Sequence, residues 1–185
     1  MDSTELKLLT GEDLAEVVAE HPDRRFELIA GRLIEMAPTG LQHGSTENRI
    51  AAVLNQYSQG RGTVLVGEVG FYTRQNDQTV RAADVAFISF KRMPMGQVPA
   101  GYGTIAPELI VEVVALNDRA ADIESKVQEW LDFGAMMVWV VYPQTQRLHV
   151  YLADEQPRIL AQTDTLDGGT ALPEFSIALS EIFPS

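Results

Sequence analysis

The chain has 185 residues, 45% hydrophobic and 22% charged, enough for one domain with a sizeable core and ordinary for a globular protein. It contains no cysteine, which excludes disulfides and thiolate metal sites, and its three histidines argue against a zinc cage. The formal net charge of −12 opposes non-specific binding to nucleic acid, which rests on phosphate neutralisation, although a divalent metal can offset acids locally. The first seven residues show no basic segment followed by an apolar run. No apolar stretch reaches the roughly 20 residues that span a bilayer, so a cytoplasmic protein is expected.

In chain order, Thr10 with Asp13 ahead of Leu14, Val17 and Val18 reads as an N-capped helix that Pro22 ends. Arg25–Ala30 and Arg32–Met36 flank Gly31 as a β-hairpin. Pro38 and Gly40 break the pattern, and His43–Tyr57 reads as a helix with Ile50, Val53, Leu54 and Tyr57 on one face. Short β-rich runs follow at Thr63–Val66, Val69–Thr73 and Ala83–Ile88. Lys91–Thr104, with its prolines and glycines, reads as a mobile loop. Leu109–Val114 is an apolar strand interrupted by Glu112. Ala121–Phe133 is an amphipathic helix closed by Gly134. Met137–Tyr142 and Arg147–Tyr151 form a second hairpin around Pro143–Gln146. Weak strands are expected near Arg158–Ala161 and Ala171–Leu172, then a short closing helix over Ala178–Phe183. With no repeat or linker, this predicts a single α+β domain over residues 1–185 with a mixed sheet.

Three charges stand in core-forming surroundings. Burying an unpaired carboxylate is costly, so Glu112 needs a partner. On the following helix Val127, Trp130 and Leu131 make one stripe with Ile123, and Lys126 lies at its edge, where packing would bring its ammonium near Glu112. Asp84 lies 28 positions before Glu112, far enough for a neighbouring strand. Two adjacent carboxylates that both stay ionised favour a divalent cation, and oxygen ligands point to Mg²⁺ or Mn²⁺. Such an ion polarises a scissile phosphate and acidifies a water, with Lys126 available to orient that water or stabilise the developing charge. The competing reading makes Asp84 and Lys126 a structural ion pair and leaves Glu112 facing solvent on an edge strand. Trp130 and Trp139 read as core. Of the two basic pairs, Arg24–Arg25 and Lys91–Arg92, the second reads as part of a solvated loop.

Taken in order, Phe26-Glu-Leu-Ile-Ala-Gly31, Pro38 through His43, Arg81-Ala-Ala-Asp84, Pro107-Glu-Leu-Ile-Val-Glu-Val113, Asn117-Asp-Arg119, Lys126 and Gly134 through Trp139 resemble the Uma-two family. That family belongs to the PD-(D/E)XK, restriction-endonuclease-like superfamily. The resemblance implies a mixed β-sheet flanked by helices and a DNA endonuclease using Mg²⁺ or Mn²⁺. Asp84 and Glu112 would be metal-binding acids, the Val113 carbonyl a further ligand, and Lys126 the catalytic lysine. The wider superfamily has its lysine two residues after the strand glutamate, a place taken here by Val114. Ala83 replaces a usual proline, a change expected to act on the start of the strand, and Ala115-Leu116 replaces a common Ser-Pro. His43 falls where the family often has a histidine, a contact for phosphate or a helper in proton transfer, with a plain polar network as the alternative. Glu27 is a candidate supporting acid, whereas Glu47 reads as a solvated helix residue. A homodimer is implied by resemblance alone. The acidic charge keeps two other readings open: a non-catalytic binding module on the same fold, and a hydrolase of small phosphoesters.

Overall fold

The computed structural model describes residues 8–184. Its elements are α1 (Gly11–Glu20), β1 (Arg25–Ile29), β2 (Arg32–Met36), α2 (Leu41–Ser58), β3 (Gly62–Tyr72), β4 (Val80–Ser89), β5 (Leu109–Val113), α3 (Ala120–Phe133), β6 (Met137–Tyr142), β7 (Arg147–Tyr151), β8 (Arg158–Ala161), β9 (Thr165–Asp167) and β10 (Ser176–Ala178). The main sheet runs β2-β1-β4-β5-β6-β7-β8, with β3 also paired to β4. Among the described residues, β5 and β6 are its parallel pair of strands, joined by the α3 crossover, and the other strand pairs are antiparallel. β9 and β10 form a separate two-stranded sheet.

Each face of the sheet is closed by different elements. On one face Val85, Phe87, Val111, Val113 and Trp139 pack with Ile50 and Leu54 of α2 and with Phe175 and Phe183 of the C-terminal segment. On the other face Ala86, Ile110 and Val138 pack with Val127 and Trp130 of α3. The stripe read from the α3 sequence is therefore its buried face, and Trp130 and Trp139 are both fully buried. Gly134 ends α3 at φ +107, a left-handed position that glycine adopts without strain. The first hairpin turns through Ala30 and Gly31, both at positive φ.

Four features depart from the sequence reading. Thr63–Val66 and Val69–Thr73 belong to one strand interrupted by a bulge, where Gly67 and Glu68 take positive φ and no β4 residue pairs with them. The segment around residues 91–104 is irregular but anchored. Met93 is buried, the Arg92 guanidinium donates to the carbonyls of Ala106, Pro107 and Gly134, and Gly103 exchanges backbone hydrogen bonds with Gly70 and Tyr72. Ala171–Leu172 is a buried turn: Leu172 donates back to Gly168, and the pair is apolar because it plugs the core. Ala178–Phe183 divides into the end of β10 and one 3₁₀ turn, Leu179–Glu181, before Pro184, which leaves too little chain for an α-helix.

The α1 N-terminus has the expected reciprocal cap, Thr10 with Asp13. Thr10→Ala is expected to lower unfolding free energy by about 1 kcal/mol, read from the denaturant midpoint; an unchanged midpoint would contradict the cap's contribution.

Candidate active site

A strand has two edges, and β3 occupies one edge of β4 along its length. The other edge is shared. β1 pairs there only at Val80, and β5 only from Val85 to Phe87. Between them the backbone of residues 81–84 faces a fork, and buried backbone groups without partners are costly. Side chains fill the gap. Glu27 Oε1 accepts the Ala82 N–H at 2.9 Å, Lys126 Nζ donates to the Ala82 carbonyl at 2.7 Å, and Asp84 Oδ2 accepts the Val113 N–H at 2.6 Å. Opposite Asp84 lies the Gly67–Glu68 bulge. Ala83 packs in the α3-side cluster and Val85 in the α2-side cluster. Regular alternation would put these two on the same face, so the strand is re-aimed at Asp84. Ala83 stands inside β4 rather than at its start.

The α3 helix delivers the lysine. Lys126 Nζ lies 2.8 Å from Glu112 Oε2 and 3.2 Å from Glu27 Oε1. The Trp130 indole N–H, one turn on, donates to Glu112 Oε1 at 2.7 Å. Lys126 is thus partnered by Glu112 and Glu27, not by Asp84. Glu112 lies on a strand flanked by β4 and β6, with its side chain only 12% exposed. The structural-pair alternative does not describe this arrangement. N–H and C=O of one strand residue point the same way, so the Val113 carbonyl also faces the fork beside Asp84.

Glu27, His43, Asp84, Val113 and Lys126 line one cleft of about 450 Å³. Glu112 sits behind that wall, its oxygens turned to Trp130 and Lys126. His43 is 7% exposed, with Nε2 3.5 Å from Asp84 Oδ1. Burial opposes its charged form, but Asp84, Glu47 and Asp118 outweigh burial and raise its pKa. Glu47 corrects the sequence reading. It is not a solvated helix residue: its side chain is 16% exposed, 3.9 Å from His43, and burial with the nearby Asp84 charge raises its pKa. Its position one helical turn from His43 was the signal that could have found it.

Sequence reasoning also missed what lies behind Glu27. Arg81 Nη1 lies 3.0 Å from Glu27 Oε2, and Arg81 Nε 3.6 Å from Glu129 Oε2. Glu129, one turn after Lys126, accepts the Thr73 hydroxyl at 2.5 Å. Charges therefore alternate through the protein from Glu112 to Lys126, Glu27, Arg81 and Glu129. Arg81 falls inside the Arg81-Ala-Ala-Asp84 element, yet an arginine in a strand reads as exposed until its partners are known. Burial raises the Glu112 pKa to about 7, opposed by Lys126 and reinforced by Asp84 and Glu27. Burial alone would lower the Lys126 pKa, but Glu112, Glu27 and Asp84 raise it, so the amine stays an ammonium.

The Uma2 family model, described as "putative restriction endonuclease", matches residues 12–180. Among solved structures, the chain is similar to one described as a putative nuclease belonging to DUF820 from Anabaena variabilis. The TM-score is 0.79 at 16% identity, covering 95% of this chain and 97% of that one. That likeness shows the fold, which is restriction-endonuclease-like. No curated protein matches the chain.

Two outcomes follow from the buried charges. Arg81→Met takes one cation from Glu27, which keeps Lys126, and one from Glu129, which keeps Arg74 at 3.7 Å, and is expected to cost up to about 3–5 kcal/mol in chemical denaturation; a loss within error of zero contradicts the row. Glu112 and His43 both hold protons more tightly when folded, so their stabilisation is complete below the unfolded pKa and is lost as pH rises through the folded one. For Glu112 that interval runs from 4.5 to about 7. Melting temperature should fall across it, and Glu112→Gln should flatten the slope; equal slopes for the two proteins would contradict the shift.

Proposed function

The chain belongs to the Uma2 family, and from that premise we propose that it is a Mg²⁺- or Mn²⁺-dependent endonuclease hydrolysing phosphodiester bonds in DNA. The observation that supports this most is the fork itself, where Asp84, the Val113 carbonyl edge and the Glu112–Lys126 pair converge beside one cleft. The donors suit a hard cation: two carboxylates and a carbonyl, without sulfur. Among the described residues no group of three or more His, Asp or Glu side chains is gathered to hold an ion. Mg²⁺ does not require such a cage, since it keeps several waters and uses one or two carboxylates with substrate phosphates.

In this reading Asp84 and the Val113 carbonyl would hold the ion from the cleft wall, and Glu112 would join them by turning one oxygen from Trp130 or Lys126. When bound, it supplies polarisation of the phosphate and a more acidic water. Lys126 remains an ammonium beside Glu112 and stabilises negative charge building on phosphate oxygens rather than accepting a proton. Glu27 orients Lys126 by holding both the amine and the Ala82 N–H that the strand leaves open. His43, its pKa raised beside Asp84, is the group placed to hold or deliver a proton near neutral pH.

A second reading, a hydrolase of small phosphoesters, is favoured by one observation. Arg24 and Arg25 border the cleft but are paired with Glu35 and Glu68, which leaves little basic surface for a duplex. The test is cleavage of plasmid DNA with Mn²⁺, beside small phosphodiesters. Asp84→Asn and Glu112→Gln should abolish cleavage, and Lys126→Ala should slow it about 10²–10³-fold. DNA cleavage by Glu112→Ala at the parental rate would sink the mechanism, and turnover of small diesters without DNA cleavage would transfer it to the second reading.

A further inference from the structure

The N-terminus of α2 opens on the same cleft, and its first turn is chemically incomplete. The N-cap is Gly40, no side chain caps the helix, and no acid stands in the first turn. The first intrahelical bond comes from the Gly44 N–H to the Gly40 carbonyl, so the N–H groups of Leu41, Gln42 and His43 precede the helical ladder. By contrast, α1 closes its first turn with Thr10 and Asp13. Thr39, Gly40, Gln42 and His43 line the cavity together with Asp84 and Lys126.

The second observation is His43 itself. It is 93% buried by its 7% exposure, and neither ring nitrogen makes a hydrogen bond, Asp84 at 3.5 Å and Glu47 at 3.9 Å standing off from Nε2. With Asp84 and Glu47 only at the limit of hydrogen-bond reach, the buried imidazole on the cleft wall has capacity left for a ligand acceptor. A small anion that met both the ring and the helix end would use it. A helix N-terminus offers N–H donors and about half a positive charge without any basic side chain. This supplies what the −12 chain otherwise lacks, because the arginines at the cleft are already paired.

We infer that the uncapped first turn of α2 and the His43 imidazole together hold one phosphodiester group of the substrate strand. The inference rests on the phosphodiester reading of this cleft and assigns a place where the strand is gripped. Asp84, Glu47 and Asp118 surround His43 and repel anions, so neither the helix donors nor the ring would hold a phosphate alone.

The geometry of Gly40 permits a test that separates binding from folding. Its φ of −78 and ψ of 167 suit an N-cap side chain, and a Cβ there would meet nothing within 4 Å. Gly40→Asp places a carboxylate on the same N–H groups, so it should raise the melting temperature while displacing the phosphate. The measurement is metal-free amide NMR during titration with a thymidine dinucleotide. The parent should shift Leu41, Gln42 and His43 amides, a dinucleotide with a neutral methylphosphonate linkage should not, and Gly40→Asp should bind at least about tenfold more weakly. Gly40→Ala, which adds no acceptor, should respond like the parent. The inference is overturned if the parental α2 amides do not respond, if the neutral analogue shifts them equally, or if Gly40→Asp binds like the parent. If the amides respond as expected but the parent never cleaves DNA with Mn²⁺, the phosphate site stands and the nuclease reading fails.

Discussion

The structure depends on a short stretch of β4 whose second edge no strand pairs with. β1 and β5 share one edge of β4 and part company between Val80 and Val85, which leaves buried polar groups facing a fork. Burial requires that these groups be satisfied, and Glu27, Lys126 and Asp84 satisfy them. The residues proposed for the chemistry are thus also the residues that complete the sheet. An acid or a lysine in that fork is held in place by the backbone it serves, which fixes its position far better than a surface loop would.

Electrostatics follows from the same geometry. Lys126 cannot be buried alone, and Glu112 with Glu27 compensates it; Glu27 then needs Arg81, and Arg81 needs Glu129. Such a row contributes little net stability when complete, but removal of either cation leaves its flanking acids short of compensation. Its consequence at the cleft is an ammonium of fixed place and charge, next to a carboxyl that burial makes harder to ionise.

Much of this was legible in the chain. The apolar run around Glu112 demanded a partner, and the α3 stripe placed Lys126 at its edge; the two lie 2.8 Å apart. The Thr10–Asp13 cap, the Gly134 stop and the mixed sheet also followed from local pattern. What was not legible required non-local pairing. The bulge that re-aims Asp84 arises from register between β3 and β4, which neither sequence segment reveals alone. Arg81 and Glu129 look like surface charges until the fold buries them together, and Glu47 looked solvated because α2 shows its burial only once β4 lies beneath it. The apolar Ala171–Leu172 pair had strand composition but fills the core from a turn.

The central claim is that the fork is a two-carboxylate cation site anchored by Asp84. Titration calorimetry of Mn²⁺ into the parent protein and into Asp84→Ala tests it most directly, because it needs neither a substrate nor turnover. Binding by the parent and none by the variant is the expected result, with protons released at neutral pH as Glu112 ionises. Equal binding by the two proteins, or binding without any contribution from Asp84, would contradict it.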